Sequence, residues 1–309
     1  MQTVAVVGLG HWGMRHVATL CELIGSAQIL GVDPDASART LAQRYGVECT
    51  SDLEQMPLTI RHVVIATPNE THADLATTLL SRDIDVLVEK PLADNEKAAA
   101  SVVELAATRQ RELMVGHIYL FSSGHRALRS VAARFGAIRF IRLERYTPGY
   151  VKGESGAWCE LAPHELAVAL DLGAIRERPT RTLLSRWSAT GIGHEDGASA
   201  QLMTSTSTVH IDCSWLSAFR ARRVWVVAEG GQALLLDDGI ETRLGVWGGT
   251  AEWQRERPSP QVWQVIHGPA PLESELRAFL SGEGSRWSGG SLGLEVVRLS
   301  DQVVGGEQS

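Results

Sequence analysis

The stretch Val4-Ala5-Val6-Val7-Gly8-Leu9-Gly10-His11-Trp12-Gly13 decides the fold of the N-terminal half. Thr3–Val7 is a continuous apolar run, which is typical of a strand buried on both faces of a parallel sheet. The three glycines that follow have the spacing G-x-G-x-x-G, and a helical apolar pattern begins directly after them. A G-x-G-x-x-G between a buried strand and a helix predicts a dinucleotide-binding turn.

Each part of this turn has a physical role in binding a pyrophosphate. Gly8 permits the tight turn, Gly10 lets the backbone approach the ligand, and Gly13 brings the helix close to the strand. The helix N-terminus, where His11 and Trp12 lie, supplies free N–H groups and the positive end of the helix dipole. We therefore expect Gly8, Gly10, His11, Trp12 and Gly13 to bind a nicotinamide cofactor.

Asp33 closes the second apolar run, Ile29–Val32, and lies 20 residues after Gly13. An acidic residue at this distance is expected to bind the adenosine ribose hydroxyls. Pro34 and Asp35 follow it, so a 2′-phosphate would meet carboxylates rather than an arginine. The sequence thus favours NAD over NADP, although the nearby Arg39 leaves mixed use open.

Strands and helices alternate through the first 120 residues. Further strands are predicted at His62–Ala66, Ile84–Val88 and Leu113–Val115, and further helices at Ser37–Tyr45, after Asn69 as the cap, and at Asp94–Arg109. This alternation predicts a doubly wound parallel sheet with helices on both faces. The carboxyl edge of such a sheet binds ligands. Residues expected there are Thr67, Asn69, Glu89, Lys90 and His117.

The second half has a different pattern, so we predict domains at 1–120 and 121–309. Short strands separated by Gly230-Gly231 and Asp238-Gly239 favour an antiparallel sheet with hairpins. Eight of the nine tryptophans lie in this half. They indicate a sheet with one face under helices and the other in a subunit interface, or simply a tryptophan-rich core. Thr250–Pro260 is polar and contains proline, which predicts a loop.

Composition excludes several other classes of protein. The chain has 309 residues and a formal net charge of −7, which argues against nucleic-acid binding. The sequence contains no run of about 18 apolar residues, so no membrane span is predicted. The N-terminus does not resemble a signal peptide. The four cysteines form no CxxC pair, so free thiols in the cytoplasm are expected. His164-Glu165-Leu166-Ala167-Val168 lacks the second histidine of H-E-x-x-H, so no metal site is predicted.

Several motifs together resemble the Gfo/Idh/MocA oxidoreductases. They are Gly8–Gly13, Asp33, the segment Ala66-Thr67-Pro68-Asn69-Glu70-Thr71-His72, Glu89-Lys90-Pro91, Gly116-His117 and Glu160-Leu161-Ala162-Pro163-His164-Glu165. The resemblance implies a Rossmann domain followed by an α+β domain with an open-faced, mostly antiparallel sheet. It also implies hydride transfer between NAD and a secondary alcohol or ketone of a sugar, sugar nucleotide or cyclitol. By this resemblance Lys90 and His164 would be the catalytic pair, and His72 would bind the cofactor. Glu160 would contact the substrate, at a position where the family usually has aspartate.

His164 has the chemistry of a general acid or base near neutral pH. Pro163 predicts a helix start beside it, whose dipole would favour the neutral imidazole, whereas Glu160 and Glu165 would favour the charged form. Further expected substrate contacts are His117, Tyr146 and Trp158. We expect a small-molecule substrate and a homo-oligomer built through the C-terminal sheet. Two alternatives stay open: reduction of a C=N bond or non-sugar carbonyl, and a non-catalytic NAD-sensing regulator.

Overall fold

A computed structural model describes residues 3–148, 155–191, 193–249 and 262–305. The chain divides into two compact units. The first contains Met1–Phe121 and Ala270–Arg298, and the second contains Ser122–Pro269 and Leu299–Ser309. The first unit therefore includes a segment close to the C-terminus as well as the N-terminal residues.

Six parallel strands form the sheet of the first unit. Their order is β3-β2-β1-β4-β5-β6, the order of a Rossmann fold, which confirms the predicted class. The strands are β1 (Val4–Val7), β2 (Ile29–Val32), β3 (Glu48–Thr50), β4 (His62–Ile65), β5 (Asp85–Val88) and β6 (Leu113–Val115). Every residue of β1 and β2 is buried, as expected for strands covered on both faces.

Helices connect these strands. They are α1 (His11–Ile24), α2 (Ala36–Gln43), α3 (His72–Ser81) and α4 (Glu96–Arg109), joined late in the chain by α7 (Pro271–Leu280) and α8 (Ser285–Ser288). Asp35 caps α2 by accepting from the backbone N–H of Ser37. The prediction that Asn69 caps α3 is wrong: Asn69–Thr71 forms a 3₁₀ turn, and α3 begins at His72 without a side-chain cap.

Eight strands form the sheet of the second unit, in the order β14-β13-β12-β11-β7-β10-β9-β8. They are β7 (Ile138–Pro148), β8 (Arg181–Trp187), β9 (Gly197–Met203), β10 (Thr208–Ser214), β11 (Leu216–Ala228), β12 (Gly231–Asp237), β13 (Thr242–Gly248) and β14 (Val262–Val265). All neighbours are antiparallel except β7 and β10. The predicted open-faced, mostly antiparallel sheet is therefore confirmed.

The two faces of this second sheet differ. Ile141, Leu143 and Arg145 of β7 are buried on the face that α6 (Ala157–Asp171) contacts. The alternate residues, which include Arg142, point to the other face together with Trp225 of β11. Trp225 is 39% exposed and Trp263 is 48% exposed. We call this second surface the open face. A further helix, α5 (Ser123–Arg134), also contacts the sheet. The last helix of the chain is α9 (Gly290–Gly305).

Some local predictions need correction. Pro163 does not start a helix, because α6 begins at Ala157 and contains Pro163 in its interior. The expected dipole effect of a helix N-terminus beside His164 therefore does not apply. The predicted loop at Thr250–Pro260 lies outside the described residues. The four cysteines are free, and no helix in the described part of the chain is long and apolar enough to cross a bilayer.

Candidate functional site

The glycine-rich turn leaves room at one position and none at two others. A Cβ on Gly8, whose φ is +87°, would lie 2.6 Å from the carbonyl oxygen of Ala66, and a Cβ on Gly13 would lie 1.8 Å from that of Gly8. A Cβ on Gly10 would meet no atom within 4 Å. Gly8 and Gly13 are thus required for close packing, whereas Gly10 borders open space at the start of α1. This arrangement fits a pyrophosphate.

The first turn of α1 is suited to an anion. Gly10 is its N-cap residue and makes no side-chain cap, and no acidic residue lies in the first turn. The free N–H groups and the dipole therefore face no competing carboxylate there. His11 and Trp12 occupy the first two helical positions, and the Arg15 guanidinium lies 5.0 Å from the centre of the Trp12 ring.

Asp33 lies directly after β2, beside the glycine-rich turn. Its Oδ2 accepts a hydrogen bond from the backbone N–H of Leu9 at 2.7 Å, and its Oδ1 accepts from Asp35 N–H at 2.8 Å. The Arg39 guanidinium donates to the carbonyl oxygens of Asp33 and Pro34 at 2.6 and 2.8 Å. A carboxylate is therefore held beside the glycine-rich turn, with an arginine bonded to the same backbone segment.

His72 connects the loops that follow β4 and β5. Its Nδ1 lies 2.7 Å from the carbonyl oxygen of Pro91, and its Nε2 lies 3.0 Å from that of Thr67. The side chain is fully buried. His72 was expected at the cofactor; both of its ring nitrogens lie at main-chain carbonyl oxygens, one in each of the two loops. Asn69 lies half-buried in the first of these loops.

Glu89 anchors the turn that carries Lys90. Its Oε1 lies 2.8 Å from Nε2 of His16 on α1, and both side chains are buried. Its Oε2 accepts from the backbone N–H of Lys90 at 3.3 Å. The Lys90–Pro91 peptide bond is cis. The backbone of the Lys90 turn is thus linked to the helix that starts at the glycine-rich turn.

His117 follows β6 at the same edge of the sheet and is buried. Burial lowers the pKa of its imidazole to about 4, with Glu89 opposing this effect and Lys90 adding to it. His117 is therefore neutral near pH 7. The preceding residue, Gly116, lies against Glu89, because a Cβ there would be 3.0 Å from Oε2 of Glu89. His117 is therefore close to the Lys90 turn, although its burial limits direct contact with a ligand.

His164 lies on α6 in the second unit and is 7% exposed. The next residue, Glu165, is fully buried, and its Oε1 lies 3.1 Å from Nη1 of Arg145 and 3.5 Å from Nε of Arg222. Those two arginines are paired across β7 and β11. A buried carboxylate held by two guanidinium groups fixes α6, and with it His164, against the sheet.

The other expected substrate residues lie in different surroundings. Trp158 is fully buried and donates through Nε1 to the Ser300 hydroxyl at 3.2 Å, so it belongs to the core rather than to a substrate site. Tyr146 lies on the open face, where its ring packs edge-on against Phe219, on the opposite side of the sheet from α6. Glu160 accepts from the Ser155 hydroxyl at 2.7 Å near the start of α6.

The structure thus brings the expected cofactor residues to one edge of the first sheet, and it places His164 and Glu160 on one helix of the second unit. Sequence reasoning missed His16, Arg145, Arg222 and Glu275, all of them buried. The burial of Glu275 could have been predicted from the sequence, because Glu275 lies on the apolar face of α7 between Leu272 and Phe279. The arginines could not be found, because they meet Glu165 only through long-range strand pairing.

Comparison with known proteins agrees with this geometry. A family model described as an oxidoreductase family with an NAD-binding Rossmann fold matches residues 2–117. An inositol 2-dehydrogenase of Renibacterium salmoninarum is 34% identical over 133 residues, which are 41% of this chain and 40% of that protein. The match therefore spans about two fifths of the length of this curated relative.

Two solved structures are similar over nearly the whole chain. A UDP-N-acetylglucosamine 3-dehydrogenase from Acidithiobacillus ferrooxidans has a TM-score of 0.84 at 21% identity, covering 98% of this chain and 97% of that one. An oxidoreductase from Agrobacterium radiobacter, solved with NAD⁺, L-tartaric acid and magnesium, has a TM-score of 0.80 at 18% identity, covering 100% of this chain and 96% of that one. At these identities the likeness concerns the fold of both units.

Proposed function

We propose that this chain is an NAD-dependent oxidoreductase of the Gfo/Idh/MocA family. The substrate would be a secondary alcohol or ketone of a sugar, sugar nucleotide or cyclitol. The observation that carries the proposal is the edge of the first sheet, where the open position at Gly10, the carboxylate of Asp33 and the Lys90 turn all follow parallel strands.

The cofactor would be held at its pyrophosphate, at its adenosine ribose and at its nicotinamide end. The N–H groups at the start of α1 would bind the pyrophosphate, and the Asp33 carboxylate would accept hydrogen bonds from the adenosine ribose. Thr67, Asn69 and Lys90 would contact the nicotinamide end. His72 and Glu89 would act by holding those loops, since their side chains are bonded to neighbouring groups within the protein.

NAD is favoured over NADP by the charges beside the ribose. Asp33 and Asp35 would both repel a 2′-phosphate. Arg39 is the cation nearest to this position in sequence, but its guanidinium is bonded to the carbonyl oxygens of Asp33 and Pro34. Binding a 2′-phosphate through Arg39 would require these two hydrogen bonds to be given up or shared.

When bound, NAD supplies the hydride acceptor or donor at C4 of its nicotinamide ring. His164 would take the hydroxyl proton of an alcohol substrate, or return it to a ketone oxygen in the reverse direction. Lys90 would donate a hydrogen bond to a substrate oxygen and stabilise the negative charge that develops on it. Glu165, fixed by Arg145 and Arg222, would keep the His164 imidazole in place.

The substrate class rests on the relatives and on the polar character of the proposed residues. The curated relative is an inositol dehydrogenase, and one structural neighbour is a sugar-nucleotide dehydrogenase. Both substrates are polyols with secondary hydroxyl groups. Glu160, on the same helix as His164, is a candidate acceptor for a neighbouring hydroxyl of such a substrate.

The open face of the second sheet would hold a second copy of this chain. It exposes several large apolar side chains across the sheet, namely Leu183 and Trp187 on β8, Trp225 on β11 and Trp263 on β14. Ion pairs such as Arg142 with Glu144 and with Asp212 lie among them. Apolar patches of this kind, interrupted by paired charges, are typical of interfaces between subunits. Homo-oligomer formation through this face would remove these exposed apolar side chains from water.

A binding assay followed by a turnover assay tests the proposed function. NADH is titrated by its fluorescence, and absorbance of the reduced nicotinamide is then followed with a panel of inositols, sugars and sugar nucleotides. We expect NADH to bind more tightly than NADPH and at least one polyol to reduce NAD⁺. Tight NADH binding without turnover on any alcohol or ketone would instead indicate a sensor, and absence of NADH binding would overturn the proposal.

A further inference from the structure

His16 is a buried imidazole on α1 that the proposed chemistry does not use. Its side chain is 0% exposed, and Nε2 lies 2.8 Å from Oε1 of Glu89. Nδ1 has no hydrogen-bond partner among the described residues. The polar contact of this ring is therefore directed at Glu89, the residue that precedes Lys90.

Glu89 uses its two carboxyl oxygens on two different segments of the chain. Oε1 is directed to His16, and Oε2 accepts from the backbone N–H of Lys90 at 3.3 Å. A carboxylate accepts at both oxygens and has no hydrogen to donate, so Nε2 of His16 is the donor. An amide at this position would offer one accepting oxygen only. The Glu89 carboxylate thus joins the His16 ring to the Lys90 backbone.

The rest of Glu89 is confined by its neighbours. Its backbone N–H donates to the carbonyl oxygen of Ile65 on β4 at 2.9 Å. A Cβ on Gly116 would lie 3.0 Å from Oε2 and 3.2 Å from Cα of Glu89, so the chain after β6 packs directly against it. The residue is 7% exposed. Without the His16 donor, Oε1 would be a buried acceptor lacking that hydrogen bond, which favours rotation of the side chain away from its present position.

We propose that His16 is a positioning residue for Lys90 and acts through Glu89. With Oε1 held by His16, Oε2 stays directed at the Lys90 N–H, so the backbone that carries the Lys90 side chain is fixed to α1. The first turn of this helix would bind the pyrophosphate, so one helix would serve both the cofactor and Lys90. The part of this inference that concerns turnover rests on the proposed function.

A spectrum of the lysine side chains tests the placement of Lys90 without cofactor or substrate. The chain contains three lysines, Lys90, Lys97 and Lys152, so ¹³C-methylation of their amines gives few signals, and Lys90→Arg identifies that of Lys90. Lys97 is exposed and is the internal reference. We expect His16→Phe, which has a ring but no donor, to move the Lys90 signal toward that of Lys97. His16→Gln, whose amide can donate to Glu89, should leave the signal in place.

The matched control is His125→Phe. It removes another buried imidazole that is bonded to a carboxylate, 2.6 Å from Asp171 in the second unit, and should not move the Lys90 signal. His16→Asn, whose amide lies one carbon closer to the helix, replaces His16→Phe if that variant does not fold. The proposal is overturned by a Lys90 signal that stays in place without the His16 ring, or that His125→Phe or His16→Gln moves equally far.

Kinetics with the best substrate of the panel separate positioning from a general loss of stability. We expect kcat of His16→Phe to fall roughly tenfold to hundredfold, the range for one lost buried hydrogen bond, while the Kd for NADH stays within about threefold of wild type. In the Glu89→Gln background, His16→Phe should lower kcat by less than about threefold more, because the two side chains act as one unit.

Equal losses in kcat and in NADH affinity, or a full additional loss in the double variant, would overturn the positioning role. Absence of NADH binding or of turnover in wild type would overturn the proposed function instead. The lysine spectrum would in that case still decide whether His16 holds Lys90 in place.

Discussion

The Oδ2 atom of Asp33 lies 2.7 Å from the backbone nitrogen of Leu9, so the carboxylate at the end of β2 is bonded to the glycine-rich turn. This contact joins the proposed ribose site to the proposed pyrophosphate site. It also fixes a negative charge where a 2′-phosphate would lie. Under the proposed function, cofactor selectivity would depend on Asp33 through both its charge and its hydrogen bond.

We predict that Asp33→Asn relaxes the preference against NADPH. The amide oxygen can still accept from Leu9 N–H, the hydrogen bond from Asp35 N–H is lost, and the repulsion of a 2′-phosphate is removed. The ratio of the Kd for NADPH to that for NADH should fall by about tenfold or more, since a unit charge at contact distance contributes roughly 1–4 kcal/mol. Fluorescence titration of both cofactors measures it, with Asp74→Asn on exposed α3 surface as control. An unchanged ratio would exclude Asp33 from selectivity.

His72 offers a test of loop spacing. His72→Ala removes both contacts to the carbonyl oxygens of Thr67 and Pro91. Loss of the buried hydrogen bonding of this imidazole corresponds to roughly 1–3 kcal/mol, so we expect NADH to bind about tenfold more weakly and the thermal midpoint to fall. His267→Ala removes an exposed imidazole and serves as control. Wild-type affinity in His72→Ala would show that the loops do not depend on this side chain.

His117 should make the protein sensitive to acid. Its pKa falls from about 6.5 in the unfolded chain to about 4 in the fold, so below pH 6.5 the unfolded chain takes up a proton that the folded protein does not. The stabilisation is present above pH 6.5 and is lost as pH falls toward 4, by up to about 3 kcal/mol. The thermal midpoint of His117→Gln should therefore fall less than that of wild type between pH 7 and pH 5. Equal falls in both proteins would contradict the burial of a neutral imidazole.

The open face of the second sheet gives a prediction about assembly. Trp225→Asp places a charge in the centre of this face, beside Arg142 and Gln232. If a second copy covers the face, the variant should dissociate to a smaller species in analytical ultracentrifugation. Ile240→Asp is the matched control, because Ile240 is 95% exposed in the turn before β13. A monomeric wild type, or a variant that assembles as wild type does, would contradict the proposed interface.

The sequence predicted those parts of the fold that are encoded locally. The run Val4–Val7 followed by Gly8, Gly10 and Gly13 specifies strand, turn and helix within one short segment, and the structure confirms it. Asp33 could be placed because it directly follows a buried strand. In such cases hydrophobic period and turn chemistry are sufficient.

Other features depend on contacts between distant segments. Pro163 gives the local signal of a helix start, but α6 is buried nearly all around, and the packing of the helix outweighs the loss of one backbone hydrogen bond. Strands β8 and β14 lie at the edges of the second sheet and were not predicted. The placement of Glu275 in the first unit also arises from chain topology, because α7 follows β14 in sequence.

A deuterium-transfer experiment with the best substrate from the panel examines the reaction itself. NADH deuterated at C4 is mixed with the ketone form of that substrate, and the alcohol product is analysed by mass spectrometry for wild type, Lys90→Ala and His164→Ala. We expect wild type to place one deuterium on the carbinol carbon. Both variants should bind NADH within several-fold of wild type and turn over roughly 10²–10⁴-fold more slowly. Unlabelled alcohol from wild type, or full kcat in His164→Ala, would contradict hydride transfer assisted by these two residues.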